Sequence, residues 1–309
     1  MDATAIEAAV AAAHAAGKAA RGGENASYIP CLASVPPDLF GVAAMTVDGR
    51  YWSRGDDGYA FAIESISKVF TLALALETHG VDAVREKIGA SATGMPFNSV
   101  MALELHGDRP LSPLVNAGAI AAASLAPGAD AESRWASILA MQGKFAGHPV
   151  PLSDEVNASE QGTNFHNRAI AWLLYDRGYC YCDPMEAVDI YTRQCSTLVT
   201  CRDLAVMGAT LAAGGVNPVT GERVVAREHV PPILAEMMME GLYEASGEWA
   251  YTVGLPGKSG VGGGLVAVAP GRLAIAAFAP PLDAAGNSVA GQVAVKTVAR
   301  ELGLNLFAV

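Results

Sequence analysis

Strand-like patterning occurs at two places in this chain, one near each end, and that placement constrains the fold more than any other feature. Near the N-terminus, residues 40–47 (FGVAAMTV) read as a strand, Asp48-Gly49 as a tight turn and residues 50–53 (RYWS) as the returning strand. Near the C-terminus, residues 264–269 (GLVAVA) and 272–278 (RLAIAAF) repeat the arrangement around a Pro270-Gly271 turn. Between them, a long apolar helix over 65–78 stops at His79-Gly80, and helical patterns follow at 131–142, 166–177, 185–194, 202–213 and 232–243. An Ala-rich helix over 2–20 and a last helix over about 287–302 bracket the whole. Strands from the two ends can pair into one sheet only if the middle of the chain is looped out. The expectation is an α+β fold with an antiparallel sheet flanked by the terminal helices, built from residues 1–64 and 246–309. Residues 65–245 form an inserted all-helical domain, with a cleft between the two.

Composition removes several function classes. Hydrophobic residues make up 51% and charged residues 17%, which excludes a disordered chain. No run of 18 apolar residues escapes a charge or a breaker, so no membrane span is expected. Asp2 and Glu7 stand where a signal peptide carries positive charge, which points to a cytoplasmic protein. A net charge of −11 with no basic run argues against nucleic-acid binding. The five cysteines are odd in number and form no C-x-x-C, so they read as free thiols; Cys180 and Cys182 lack the second cluster that a zinc site needs. Six scattered histidines include no H-E-x-x-H pair, and no metal is expected. The segment 252–259 (TVGLPGKS) has Thr252 where a phosphate-binding loop requires glycine, and it runs into glycines rather than a helix. No cofactor is expected.

The chemistry is carried by residues 61–70 (FAIESISKVF), where Ser65 and Lys68 form S-x-x-K at a helix start. Positions three apart share a helix face, so the lysine can reach the hydroxyl. Serine is a weak nucleophile until a base takes its proton, and a buried lysine can serve as that base. The tetrapeptide alone is equally a helix cap followed by a solvated lysine. Two features favour the chemistry. Lys68 is followed by Val69, Phe70, Leu72, Leu74 and Leu76, and a Lys-Ser-Gly occurs at 258–260 before an apparent strand. Serine acyl-transfer enzymes of the penicillin-binding type combine S-x-x-K with K-[ST]-G on a strand edge, where backbone N–H groups form an oxyanion hole. Elsewhere, Tyr28, Asn116, Tyr191 and Tyr243 lie in unusual segments, and Glu160 and Asn167 are seven residues apart, close to two helical turns. Each taken singly is also a cap, a surface charge or a core-edge aromatic.

Together these segments resemble a known family. Y-I-P-x-L-A at 28–33, F-A-I-E-S-I-S-K-V-F at 61–70, P-L-V-N-A-G-A at 113–119, N-F-H-N-R-A at 164–169 and K-S-G-V-G-G-G at 258–264 resemble the serine-dependent glutaminase family. The similarity is collinear over about residues 25–302. It implies the β-lactamase-like fold and hydrolysis of L-glutamine to L-glutamate and ammonia. By the same resemblance, Ser65 is the nucleophile, Lys68 its base and Tyr191 a proton relay, with the N–H groups of Ser65 and Val261 as the oxyanion hole. Tyr28, Asn116, Glu160, Asn167 and Tyr243 match substrate-binding positions, and a homodimer or homotetramer is implied. The residue types agree: a free amino acid needs a fixed anion for its ammonium, which Glu160 supplies, and neutral donors for its carboxylate. Many family members have glutamine where this chain has Glu64; a carboxylate there can pair with Lys68 or with a substrate group. Penicillin-binding proteins and β-lactamases usually carry an S-x-N or Y-x-N triplet, and neither occurs here.

Overall fold

The computed structural model describes residues 1–107 and 109–308. Its strands are β1 (Gly41–Thr46), β2 (Tyr51–Gly55), β3 (Phe61–Ala62), β4 (Leu198–Val199), β5 (Gly257–Ser259), β6 (Gly264–Ala269) and β7 (Leu273–Phe278). Five of them form one antiparallel sheet in the order β2-β1-β7-β6-β5. The two ends of the chain meet at its centre, where β1 pairs with β7 from Gly41 opposite Phe278 to Thr46 opposite Leu273.

Side-chain alternation divides this sheet into two buried faces. On one, Val42, Ala44, Leu265, Ala267, Ile275 and Ala277 pack against the terminal helices Ala3–Ala19 and Val289–Glu301. On the other, Ala43, Met45, Val266, Val268, Ala274 and Ala276 pack into the helical layer. Every residue of β1, β6 and β7 is buried, so these strands lack the polar-out alternation of a one-sided sheet. Their many alanines let helices approach closely on both sides. The helix Cys201–Ala212 lies directly on β1, β6 and β7.

Three local departures from the sequence reading shape the site. The helix expected from Ser65 begins later: Glu64–Ile66 form a 3-10 turn, and the α-helix runs Ser67–His79. The helix expected over 166–177 is present as Phe165–Asp176, but a separate helix, Asp154–Thr163, precedes it, with a break at Asn164. The Asn164 side chain donates to Thr192 Oγ1 at 3.0 Å, which anchors the break to the helix Pro184–Cys195. Glu160 and Asn167 therefore lie on different helices, and the shared-face argument for them fails. Finally, β3 and β4 form a two-stranded antiparallel pair, Phe61 opposite Val199 and Ala62 opposite Leu198. Two-residue strands are too short to reveal a period, yet this pair holds the segment that leads into Ser65. Among the described residues, no helix is long and apolar enough to cross a membrane.

Candidate active site

A pocket of about 200 Å³ opens where the 3-10 turn of Ser65 meets the helical layer and the turn after β5. It is smaller than the roughly 300–1,000 Å³ of sites for drug-sized molecules, which suits a free amino acid better than a peptide. Seven of the nine residues singled out from the sequence line it: Tyr28, Ser65, Asn116, Glu160, Asn167, Tyr191 and Val261. Lys68 and Tyr243 sit behind its wall, 1% and 2% exposed.

Ser65 is buried and held by its backbone surroundings. Glu64, immediately before it, has φ of 52°, and Tyr243 has φ of 56°. These are two of three non-glycine residues with positive φ among those described, and both adjoin the same hydroxyl. Left-handed backbone at such residues costs about 1–3 kcal/mol and persists only where packing enforces it. The Tyr243 side chain lies beside that of Ser65 and donates to Ser259 O at 3.4 Å.

The glycine-rich segment after β5 closes the other side. A Cβ on Gly260 would lie 2.7 Å from Ile63 O, and one on Gly262 would lie 2.3 Å from Ala62 O. Only glycine lets this turn press against the chain entering Ser65, and Val261 between them is thereby placed in the pocket wall. The Val261 N–H donates to no described residue. Lys258, on β5, is fully buried, donates to Gly241 O at 3.0 Å and Ser259 O at 2.7 Å, and lies 4.3 Å from the centre of the Tyr243 ring.

Lys68 projects from the first turn of the helix Ser67–His79, which is buried from Ser67 to Leu76. Its Nζ donates to Asn116 Oδ1 at 2.7 Å, and the Tyr191 hydroxyl donates to the same oxygen at 3.1 Å. Asn116 Nδ2 in turn donates to Asn167 Oδ1 at 2.9 Å, so the expected Asn pair is a connected strip of pocket wall. Burial lowers the Lys68 ammonium to about 8, against the pull of Cys195, Glu64, Glu160 and Glu240, which favour the charged form. A lysine in that range is neutral often enough to accept a proton near neutral pH. Burial also raises the Tyr191 phenol well above its ordinary value.

Glu160 is buried in the pocket wall, where burial lifts its carboxyl to about 7. Burial and the nearby Glu160 charge push Glu64 well above the usual carboxylate range. Oxygens of these two carboxyls and the Cys195 sulfur lie within 4.8 Å of one another, a grouping of donor types able to hold a metal ion. The Cys195 sulfur also touches Ser67 Oγ at 3.7 Å.

Sequence reasoning missed Phe97, Asn98, Asn164 and His166, all of which line the pocket. The Phe97 ring packs against that of Tyr243 at a tilt of 39°, centroids 4.5 Å apart, and its carbonyl accepts the Asn116 N–H at 2.8 Å. His166 contacts Asn98 O at 2.6 Å. The loop carrying Phe97 and Asn98 has no regular pattern, and only its position over Asn116 gives it meaning. Asn164 and His166 stood inside a quoted motif, which was the available signal for them.

A site of this composition has known relatives. The glutaminase family model matches residues 23–307. The glutaminase of Brucella canis is 69% identical over 303 residues, covering 98% of this chain and 96% of that relative. The chain belongs to the glutaminase family. The glutaminase of Bordetella avium is 67% identical over 307 residues, 99% of this chain and 98% of that one. Among solved structures, the probable glutaminase ybaS superposes with a TM-score of 0.99 at 63% identity over the full length of both chains. Mglu in its tris and glutamate form superposes at 0.93 with 35% identity, covering all of this chain and 69% of Mglu. The α+β, β-lactamase-like fold inferred from the sequence is the fold of this glutaminase family member.

Proposed function

We propose that this chain hydrolyses the side-chain amide of L-glutamine through a γ-glutamyl ester on Ser65, with Lys68 as the base. The observation that carries the proposal is the placement of a buried lysine, lowered to about 8, three residues from a serine in the wall of an amino-acid-sized pocket. The family assignment supports the substrate, and a solved relative, Mglu, has been seen in a glutamate form.

The steps follow from the chemistry of the groups. Ser65 Oγ attacks the amide carbon as its proton passes to Lys68, whose flexible end is within reach on the same helix face. The N–H groups of Ser65 and Val261 hold the oxyanion that forms. The C–N bond breaks, the nitrogen takes the proton back through Lys68 and the Tyr191 hydroxyl, and ammonia leaves. Water then attacks the ester by the same proton path and releases L-glutamate. Glu160 receives the α-ammonium, and Asn116, Asn167 and Tyr28 meet the α-carboxylate. Requiring both charged groups selects a free amino acid over a peptide, because a missing partner leaves buried polar groups unpaired. The reading includes two domains, 1–64 with 246–309 and 65–245, facing across this pocket, a homo-oligomer, and work in the cytoplasm without cofactor.

The test is ammonia release from L-glutamine, L-asparagine and a chromogenic β-lactam by wild type and Ser65→Ala. Glutamine turnover that disappears in the variant supports the proposal. Binding of glutamine without turnover in the wild type points instead to a sensor, and turnover of the β-lactam alone defeats the reading.

A further inference from the structure

Two carboxyl groups meet in the pocket wall, and the reaction proposed above uses one of them. Glu64 and Glu160 are 3% and 7% exposed, and both line the pocket. A carboxyl oxygen of one lies within 4.8 Å of a carboxyl oxygen of the other. One oxygen of each, Oε1, is buried without a partner among the described residues. Ionised carboxylates accept hydrogen bonds and cannot donate them. Two ionised groups here would leave both oxygens unpaired and set like charges in contact away from water. A single proton removes the like-charge contact and gives the pair a donor.

We infer that Glu64 is a positioning residue, held as the neutral acid and donating a hydrogen bond to the Glu160 carboxylate, so that the pair presents one fixed negative charge to the α-ammonium of the substrate. The inference rests on the glutamine reading above for the identity of that ammonium. The direction of the bond follows from the surroundings. Glu64 is raised by burial and by the charge of Glu160, whereas the bond from Glu64 and the charge of Lys68 draw Glu160 back down. The groups facing the pair from the packed elements are Tyr28, Cys31, Lys68, Tyr191, Cys195 and Tyr243. Lys68 is the one cation in that set, and it favours keeping one negative charge on the pair. Burial raises Tyr191 and Cys195 well above their ordinary values, so they stay neutral where the pair titrates.

The backbone is arranged for this contact. The positive φ of Glu64 turns it out of the helical path just before Ser65, and the adjoining Gly262 is close enough that its Cβ would lie 3.2 Å from Glu64 Cγ. The carboxyl of Glu64 is thus enclosed on one side by the glycine-rich turn and on the other by Glu160. The pair loses its protons in two steps that belong to both groups, and it carries one charge between them. Above the upper step the internal bond is lost, and the charge that holds the ammonium is no longer fixed in place.

The test compares wild type, Glu64→Gln and Glu64→Ala for glutamine turnover and for L-glutamate binding between pH 6 and pH 10. Glutamine keeps an N–H donor at this position and cannot titrate. The ratio of kcat/KM in Glu64→Gln to that in wild type cancels the titration of Lys68 and of the substrate amine. It is expected to stay level through neutral pH and then rise by about tenfold on the alkaline side, where wild-type Glu64 loses its proton. Glu64→Ala, with no donor, should raise KM and the Kd for L-glutamate by about tenfold at neutral pH, with the Gln variant restoring most of that loss. A ratio independent of pH, or one that steps on the acid side, overturns the inference. So does a Gln variant that binds no better than the Ala variant. If wild type turns over no glutamine, the Ser65 reading falls, and the Kd series for L-glutamate still decides the pair. Failure of the wild type to bind L-glutamate defeats both.

Discussion

Lys68 Nζ donates to Asn116 Oδ1 at 2.7 Å, and the two are joined across the floor of the pocket by the first residue of one helix and the first turn of another. The amide oxygen orients the lysine without adding a full charge, so burial remains free to lower the ammonium to about 8. The rate of a lysine-assisted reaction should then rise as pH passes through about 8 and the amine becomes neutral.

Asn116→Asp tests this relationship directly. A carboxylate at that distance favours the ammonium, so the rising limb of kcat should move at least about one unit to higher pH. A pH–rate profile of the folded variant makes the comparison, and an unmoved limb would remove Lys68 from the base role.

Tyr243 lies beside the Ser65 side chain, whereas the Tyr191 hydroxyl donates to Asn116 Oδ1 at 3.1 Å. Tyr243→Phe is therefore expected to lower kcat by about tenfold or more, and by more than Tyr191→Phe. Steady-state kinetics of the two variants side by side decides it; the reverse order would mean that Tyr243 is not needed beside Ser65.

Gly262→Ala puts a Cβ where Ala62 O would be 2.3 Å away. The turn must shift, and the Val261 N–H moves with it. The expected result is a fall in kcat of about a hundredfold, the usual cost of losing an oxyanion donor, with a stability loss of about 1–3 kcal/mol. Urea unfolding separates the two effects, and a destabilised variant with full kcat would speak against Val261 as a donor.

Glu160 is raised from 4.5 to about 7 in the folded chain, so the native state holds a proton that the unfolded chain has already released. Its stabilising contribution is complete below about 4.5 and is lost as pH rises through about 7. Glu160→Gln removes this titration. Its Tm relative to wild type should climb between those pH values and level off above them, while glutamine turnover collapses through KM. Calorimetric scans across that range give the answer, and a constant Tm difference would mean that Glu160 is charged throughout.

Much of this protein was legible in its sequence because the signals were local. The short apolar runs of β1, β6 and β7 and the turns at Asp48-Gly49 and Pro270-Gly271 specify two hairpins from neighbouring residues alone. Ser65 and Lys68 were visible for the same reason: three residues on one turn of helix have one geometry. Other features depend on what the segments pack against. The break at Asn164 follows a hydrogen bond to Thr192 on another helix, which is why Glu160 and Asn167 end on separate helices and still line one pocket. Phe97 and Asn98 join the site only because their loop lies across Asn116.

By itself, then, the sequence determined most of the elements, the pairing of its two ends and the candidate reacting side chains, since short spacing and local turns are properties of the chain before it folds. The tertiary structure decided the protonation and partnership of those side chains. Lys68 is low, Glu64 and Glu160 are high, and Tyr243 is brought beside Ser65 because of burial and contacts among residues far apart in the chain. Desolvation is a property of the packed interior, and no local spacing encodes it.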